Sequence, residues 1–254
     1  MSNIYKNGVV ILDFGSQYTQ LIARRVREQK VYSKIVSPSA KLEEILIMEP
    51  SAIILSGGPS SIYEEDAPDF DQNILSFGIP VLGICYGLHL LVNAEGGEVI
   101  FSNKGEYGFA KIDILERTGL FQGVRNSQVW MSHGDKVSRV PKRWNILAYS
   151  SNGMIAAMAN ESQSKVATQF HPEVYHTEEG KEIISNFLFR IADCETSWTP
   201  KNFIIDQVKK IQVLVGSGKV LAGVSGGVDS SVVAALLNMA IGDKSIAVII
   251  DHGL

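Results

Sequence analysis

Cysteine is nearly absent: Cys85 and Cys194 are the only two in 254 residues. That is too few for a disulfide framework and agrees with reduced thiols in an intracellular enzyme. Also missing are any uninterrupted apolar run long enough to span a bilayer and, in the polar stretch Met1 to Asn7, any signal-peptide core. A cytoplasmic protein with no membrane partner is the expectation. There is no basic surplus either. A formal net charge of -4 excludes the broad positive field that non-specific nucleic-acid binding needs, so any nucleotide must be held locally. Internal repeats and low-complexity tracts are absent as well. What remains is a globular composition, 45% hydrophobic, able to bury one large core or two smaller ones.

Short β-rich runs alternate with helical patterns through the first half: Val9 to Asp13, Gln17 to Glu28, Ser33 to Val36, Lys41 to Met48, Ala52 to Ser56. The alternation predicts an α/β fold with a mostly parallel sheet. Further strands are expected at Val81 to Ile84, Phe109 to Leu115, Ile146 to Tyr149, Ile155 to Ala159 and Lys165 to Phe170, with a closing helix from Glu178 to Ile191. The close spacing of the strands between Ala148 and Phe170 predicts an antiparallel addition. The first domain is placed at residues 1–192 and a polar linker at 193–199. A second α/β unit, 200–254, opens on Thr199-Pro200, an N-cap followed by proline at the first helical position. Its helix runs to about Val215 and is followed by strand Val220 to Val224, helix Ser230 to Ile241 and strand Ile246 to Ile250.

Pro80-Val81-Leu82-Gly83-Ile84-Cys85-Tyr86-Gly87 is an apolar strand running into Gly-x-Cys-x-Gly, with the helical stretch Leu88 to Glu95 beyond it. Small flanking residues permit the tight strand-to-helix turn of a nucleophile elbow. A thiol there meets the positive end of the helix, which favours the thiolate. The alternative is a buried structural cysteine. Cys194 sits between Asp193 and Glu195, where carboxylates disfavour a thiolate, and is read as incidental. At the end of a later strand stands Gln169-Phe170-His171-Pro172-Glu173. Residues two apart in extended backbone share a face, and Pro172 keeps the intervening backbone extended. His171 and Glu173 can therefore converge on one point, a base with its orienting carboxylate. Ser56-Gly57-Gly58-Pro59 supplies backbone N–H groups at the same carboxyl edge of a parallel sheet.

Four ordered elements now resemble the class I glutamine amidotransferases: Leu55 to Pro59, Gly83 to Gly87, Met131-Ser132-His133-Gly134-Asp135 and Phe170 to Glu173. The tyrosine after the cysteine, the Ser-His-Gly-Asp element and the opening Ile11 to Tyr18 are similar to the GMP synthase branch. The resemblance covers residues 8 to 192 and implies a flavodoxin-like, mostly parallel sheet with antiparallel additions. It implies Cys85 as nucleophile, His171 as acid and base, and Glu173 as orienter. Backbone N–H groups of Gly58 and Tyr86 would form the oxyanion hole, with Gly57, Gly58, His89, Ser132 and His133 around the glutamine. One position departs from the pattern. The family usually has glutamine four residues after the nucleophile, and this chain has His89, whose imidazole cannot reproduce both faces of an amide.

Ser225-Gly226-Gly227-Val228-Asp229-Ser230-Ser231 joins an apolar strand to a helix, an anion cradle at a helix N-terminus. It resembles the pyrophosphate loop of N-type ATP pyrophosphatases. By resemblance the complete enzyme, a homodimer, would adenylate the C2 oxygen of XMP with ATP and Mg2+ and let ammonia displace AMP to give GMP. Glutamine hydrolysis itself needs no metal. The strand-helix-strand ending at Leu254 cannot cover both faces of its sheet, so a truncated chain competent only for glutamine hydrolysis is expected. Two alternatives stay open. One is a non-catalytic glutamine-binding or regulatory module, and the other an amidotransferase with a different acceptor, as in anthranilate or carbamoyl phosphate systems.

Overall fold

A computed structural model describes residues 7–249. Chain contacts divide it between Ser197 and Trp198 into two units, described in turn. The first holds strands β1 (Val9–Leu12), β2 (Ser33–Val36), β3 (Ala52–Leu55), β4 (Val81–Ile84), β5 (Glu98–Ile114), β6 (Gln128–Arg139), β7 (Trp144–Ser150), β8 (Ile155–Asn160) and β9 (Lys165–Thr168). Its helices are α1 (Thr19–Glu28), α2 (Leu42–Leu46), α3 (Tyr86–Ala94) and α4 (Gly180–Asn186). The strands form one sheet in the order β2-β1-β3-β4-β9-β8-β7-β5-β6. It is parallel from β2 through β9 and antiparallel beyond.

Strands β1, β3 and β4 are buried at every residue, as continuous apolar runs must be when helices cover both faces. Alternate side chains feed two separate cores. Val9 and Ile11 join Ile22, Ala23 and Val26 of α1, whereas Val10 and Leu12 join Leu88, Leu91 and Val92 of α3. Helix α3 is buried from Tyr86 to Val92, so these two turns have no solvent face and can approach β3 closely. A Cβ built on Gly87 would stand 2.3 Å from Leu55 O. Alanine gains up to about 1 kcal/mol of helix propensity over glycine, but a clash with backbone cannot be relieved by a rotamer change and costs more. Gly87→Ala is therefore expected to destabilise the unit by about 1–3 kcal/mol, read as a lower urea midpoint at unchanged slope.

Three elements of the first unit differ from the sequence expectation. Strand β6 was not anticipated, and β5 begins eleven residues earlier than Phe109, at Glu98. The two pair antiparallel, with a register shift between Phe101 and Glu106. The closing helix is not one α-helix: α4 gives way to a π-helical turn, Phe187–Ile191. There Ala192 N–H donates to Phe187 O at 3.0 Å. The wider turn lets Phe187 and Leu188 both enter the core while Asn186 donates to Leu120 O and Gln122 O.

The second unit comprises α5 (Pro200–Val215), β10 (Val220–Gly223), α6 (Val228–Ile241) and β11 (Ser245–Val248). Thr199 caps α5, accepting from Asn202 N. Strands β10 and β11 are parallel. Ile250 of the expected last strand, and residues 251–254, lie outside the described residues. Leu221 is 71% exposed, so this strand does not bury its apolar side chains. Among the described residues no helix is long and apolar enough to cross a membrane.

Candidate active site

Cys85 caps the N-terminus of α3 with φ 53° and ψ -103°. A non-glycine residue in that region is strained by about 1–3 kcal/mol. The strain has an evident structural source. Gly83 and Gly87 on either side are packed so tightly that a Cβ on Gly83 would lie 2.6 Å from Gly87 O, and Cys85 N–H is tied to Thr168 O at 2.8 Å. The turn from β4 into α3 has no room for a relaxed geometry, and it lifts the thiol to the carboxyl edge of the sheet.

His171 and Glu173 follow β9, the strand beside β4. His171 Nδ1 donates to Glu173 Oε1 at 2.7 Å, and both side chains are buried. Among the described residues the other carboxylate oxygen, Oε2, has no hydrogen-bond partner, so Glu173 directs its polarity at this one ring. Burial works against an imidazolium here. The Glu173 carboxylate outweighs it with help from the nearby Cys85 sulfur, and His171 is held well above its usual range. The ring and the thiol residue abut the same glycine. A Cβ on Gly57 would meet His171 Cε1 at 3.0 Å and Cys85 Cβ at 3.7 Å. With Nδ1 committed to Glu173, Nε2 is the nitrogen left for the sulfur. Tyr18 packs edge-on against the imidazole, ring centroids 5.1 Å apart.

The loop carrying this pair is clamped from β6. His171 N–H donates to Trp130 O at 3.0 Å, Thr177 Oγ1 donates to His171 O at 2.6 Å, and Trp130 N–H donates to Thr177 Oγ1 at 3.1 Å. From α1, Arg25 Nε donates to Glu173 O. Neither clamp was anticipated from sequence.

A cavity of about 320 Å³ opens in front of Cys85, with Gly58, Tyr86, His89, Ser132 and His133 on its walls. The expected contact residues are thus brought together, while Gly57 stands behind, against His171. Among the described residues neither the Gly58 N–H nor the Tyr86 N–H is used in a protein hydrogen bond, so both are free to donate. A Cβ at Gly58 would lie 2.6 Å from Phe14 O, which fixes glycine there. The sulfur itself faces Ser132 O at 3.5 Å.

Behind the far wall lies a buried polar network that sequence reasoning missed. His133 Nδ1 donates to Asp135 O at 2.7 Å, and Nε2 lies 3.3 Å from Glu106 Oε2. Glu106 also accepts from Ser150 Oγ and Asn152 Nδ2, both at 2.7 Å. Burial alone would raise the Glu106 carboxyl, but these donors together hold it below the usual range. Ser61 Oγ donates to Asp135 Oδ2 at 2.6 Å, closing the network at the cavity wall. The sequence signal was the alternation Met131, His133, Asp135, in which two of the inward positions are polar.

His89 is buried on α3, and its Nε2 lies 2.9 Å from Gln169 Oε1. Desolvation dominates its titration, pushing it down to about 4, so the ring is neutral near pH 7. Cys194 is buried too, and burial followed by the Asp193 charge raises its thiol to about 12. It cannot compete as a nucleophile.

In the second unit, Ser225 to Ser231 form an exposed turn into α6. Gly226 takes φ 81°, and Ser230 and Ser231 hydroxyls donate to Gly227 O at 3.0 and 2.9 Å. Among the described residues no cluster of three His, Cys, Asp or Glu could hold a metal ion.

An elbow thiol, a His–Glu pair and a glycine loop on one edge of a mostly parallel sheet are features of a cysteine-dependent amidotransferase, and the profile described as glutamine amidotransferase class-I matches residues 10–191. The chain belongs to that family. A second profile, NAD synthase, matches residues 199–253. The chain is 53% identical over 254 residues to the glutamine-hydrolyzing GMP synthase of Wolinella succinogenes, covering 98% of this chain and 49% of that protein. The GMP synthase of Thermosipho melanesiensis is 49% identical, over 97% of this chain and 48% of the relative. The chain thus spans about half the length of the curated relatives it matches. Among solved structures, a protein from Thermoplasma acidophilum assigned as a GMP synthase component superposes with a TM-score of 0.66 at 27% identity, covering 74% of this chain and 94% of that one.

Proposed function

We propose that the first unit hydrolyses glutamine to glutamate and ammonia. The observation that carries the reading is the buried His171–Glu173 pair, 2.7 Å apart, standing with Cys85 against Gly57. Cys85 Sγ attacks the carboxamide carbon, and the oxyanion takes hydrogen bonds from Gly58 and Tyr86 N–H. His171 protonates the departing nitrogen, the C–N bond breaks, and a glutamyl thioester remains. Water then attacks the thioester while His171 accepts its proton, and glutamate leaves as the sulfur is restored. His89, Ser132 and His133 bound the site for the amino-acid head, while Gly57 backs His171.

The wider reading is that the ammonia serves ATP-dependent amination of XMP to GMP in a longer, homodimeric, cytoplasmic protein. It is supported by the relatives' names and by the Ser225 to Ser231 turn. That turn fits a pyrophosphate through its hydroxyls and backbone N–H groups at the α6 N-terminus. Asp229 is its one carboxylate, which suits Mg2+ arriving with nucleotide phosphates and waters rather than in an all-protein cage. When bound, the ion would neutralise phosphate charge.

Incubating the chain with glutamine and measuring both products tests the first reading. Ammonia and glutamate in equal amounts are expected. Glutamine binding without release would make the chain a binding module instead.

A further inference from the structure

Gln169 is buried between His89 and Cys85. Its Oε1 lies 2.9 Å from His89 Nε2, and its Nε2 points at the Cys85 sulfur at 3.9 Å. We propose that Gln169 donates an amide N–H to the reacting sulfur, and that His89 acts as a positioning residue holding that amide the right way round. The inference rests on Cys85 being the nucleophile.

The polarity follows from the donor and acceptor inventory. A carboxamide turned the other way would aim its oxygen lone pairs at an anionic sulfur, which is repulsive. In the orientation seen, Oε1 needs a donor, and His89 Nε2–H is that donor. A neutral imidazole carries one ring proton, so placing it on Nε2 leaves Nδ1 as an acceptor only. Burial keeps the ring neutral, so the tautomer, the amide and the sulfur are set together. His89, placed around the glutamine by the sequence resemblance, spends its one donor on Gln169. The amide then supplies a hydrogen bond that strengthens as the sulfur gains charge.

Other charged or titratable groups surround the sulfur. His171 with Glu173 behind it comes from the loop after β9, Glu64 and Tyr86 stand on the cavity wall, and His133, Asp135 and Tyr107 come from β6 and β5. None of them is altered in the comparison that tests the relay.

The test is the pH dependence of Cys85 alkylation by iodoacetamide on the full chain without glutamine, read by peptide mass spectrometry. Gln169→Leu is expected to raise the alkylation midpoint by about 0.5–1 pH unit, and Gln169→Glu, which adds a like charge, by more. His89→Phe should raise it too, yet add nothing in the Gln169→Leu background, because it acts only through the amide. Should the leucine variant not fold, Gln169→Met removes the same donor with an unbranched side chain. A folded Gln169→Leu or Gln169→Met with the original midpoint overturns the proposal, as does a His89→Phe shift of equal size in both backgrounds. If Cys85 in the unsubstituted chain is not alkylated at any pH, the nucleophile itself is lost and the glutamine reading falls with it, a result distinct from an unshifted midpoint.

Discussion

Cys85→Ala is expected to lower ammonia release from glutamine by at least ~10³-fold while leaving the chain folded. The sulfur is the atom that bonds to substrate, and no other thiol can substitute, because Cys194 is buried with its ionisation pushed up to about 12. Alanine keeps a Cβ and therefore keeps the strain of φ 53°. Cys85→Gly removes it. The glycine variant should be equally inactive but more stable than the alanine one by about 1 kcal/mol, measured as a higher urea midpoint. Loss of activity with a gain in stability would mark the elbow as a residue whose backbone is strained for function.

Glu173→Gln is expected to reduce glutamine hydrolysis by ~10²- to 10⁴-fold, since an amide neither orients the imidazole as firmly nor stabilises an imidazolium. Its pH signature is more specific than the rate. In the unsubstituted chain the carboxylate overcomes burial and holds His171 well above its ordinary value. Without that charge, burial prevails and the His171 titration moves down, visible by NMR of the ring protons. The sign for stability follows. A folded-state value raised above the unfolded value of about 6.5 contributes stability that is fully present below that pH and is lost as pH rises through the folded value. The stability gap between the unsubstituted chain and Glu173→Gln should therefore narrow as pH is raised through that window. A gap independent of pH would mean the pair is not an ionic one.

The parallel half of the sheet was legible because its strands are buried on both faces. Val9 to Leu12, Ala52 to Leu55 and Val81 to Ile84 carry unbroken apolar runs, so composition alone marks them. The candidate site was legible where chemistry and spacing coincide: a cysteine between glycines, and a histidine and glutamate two apart across proline. Strand β6 was hidden because its inward positions His133 and Asp135 are polar, their burial made tolerable by Asp135 O, Glu106 and Ser61. Hydrophobic periodicity cannot register a strand whose buried face is a hydrogen-bond network. The first half of β5 was hidden by Gly105, where a Cβ would lie 2.4 Å from His133 O, and by the register shift beside it. Glycine reads as a turn in sequence but here marks two backbones in close approach. Thr177 and Gln169 were missed for another reason. Their roles depend on partners 47 and 80 positions away, which no local pattern reveals.

The whole account turns on a covalent bond between glutamine's acyl carbon and one sulfur. Mixing the chain with excess glutamine, quenching in acid and mapping the peptides by mass spectrometry reads that bond directly. A glutamyl adduct on the Cys85 peptide, absent from the Cys194 peptide and lost in Cys85→Ala, is the expected result. Ammonia release continuing with no adduct on Cys85, or in the Cys85→Ala chain, would contradict it.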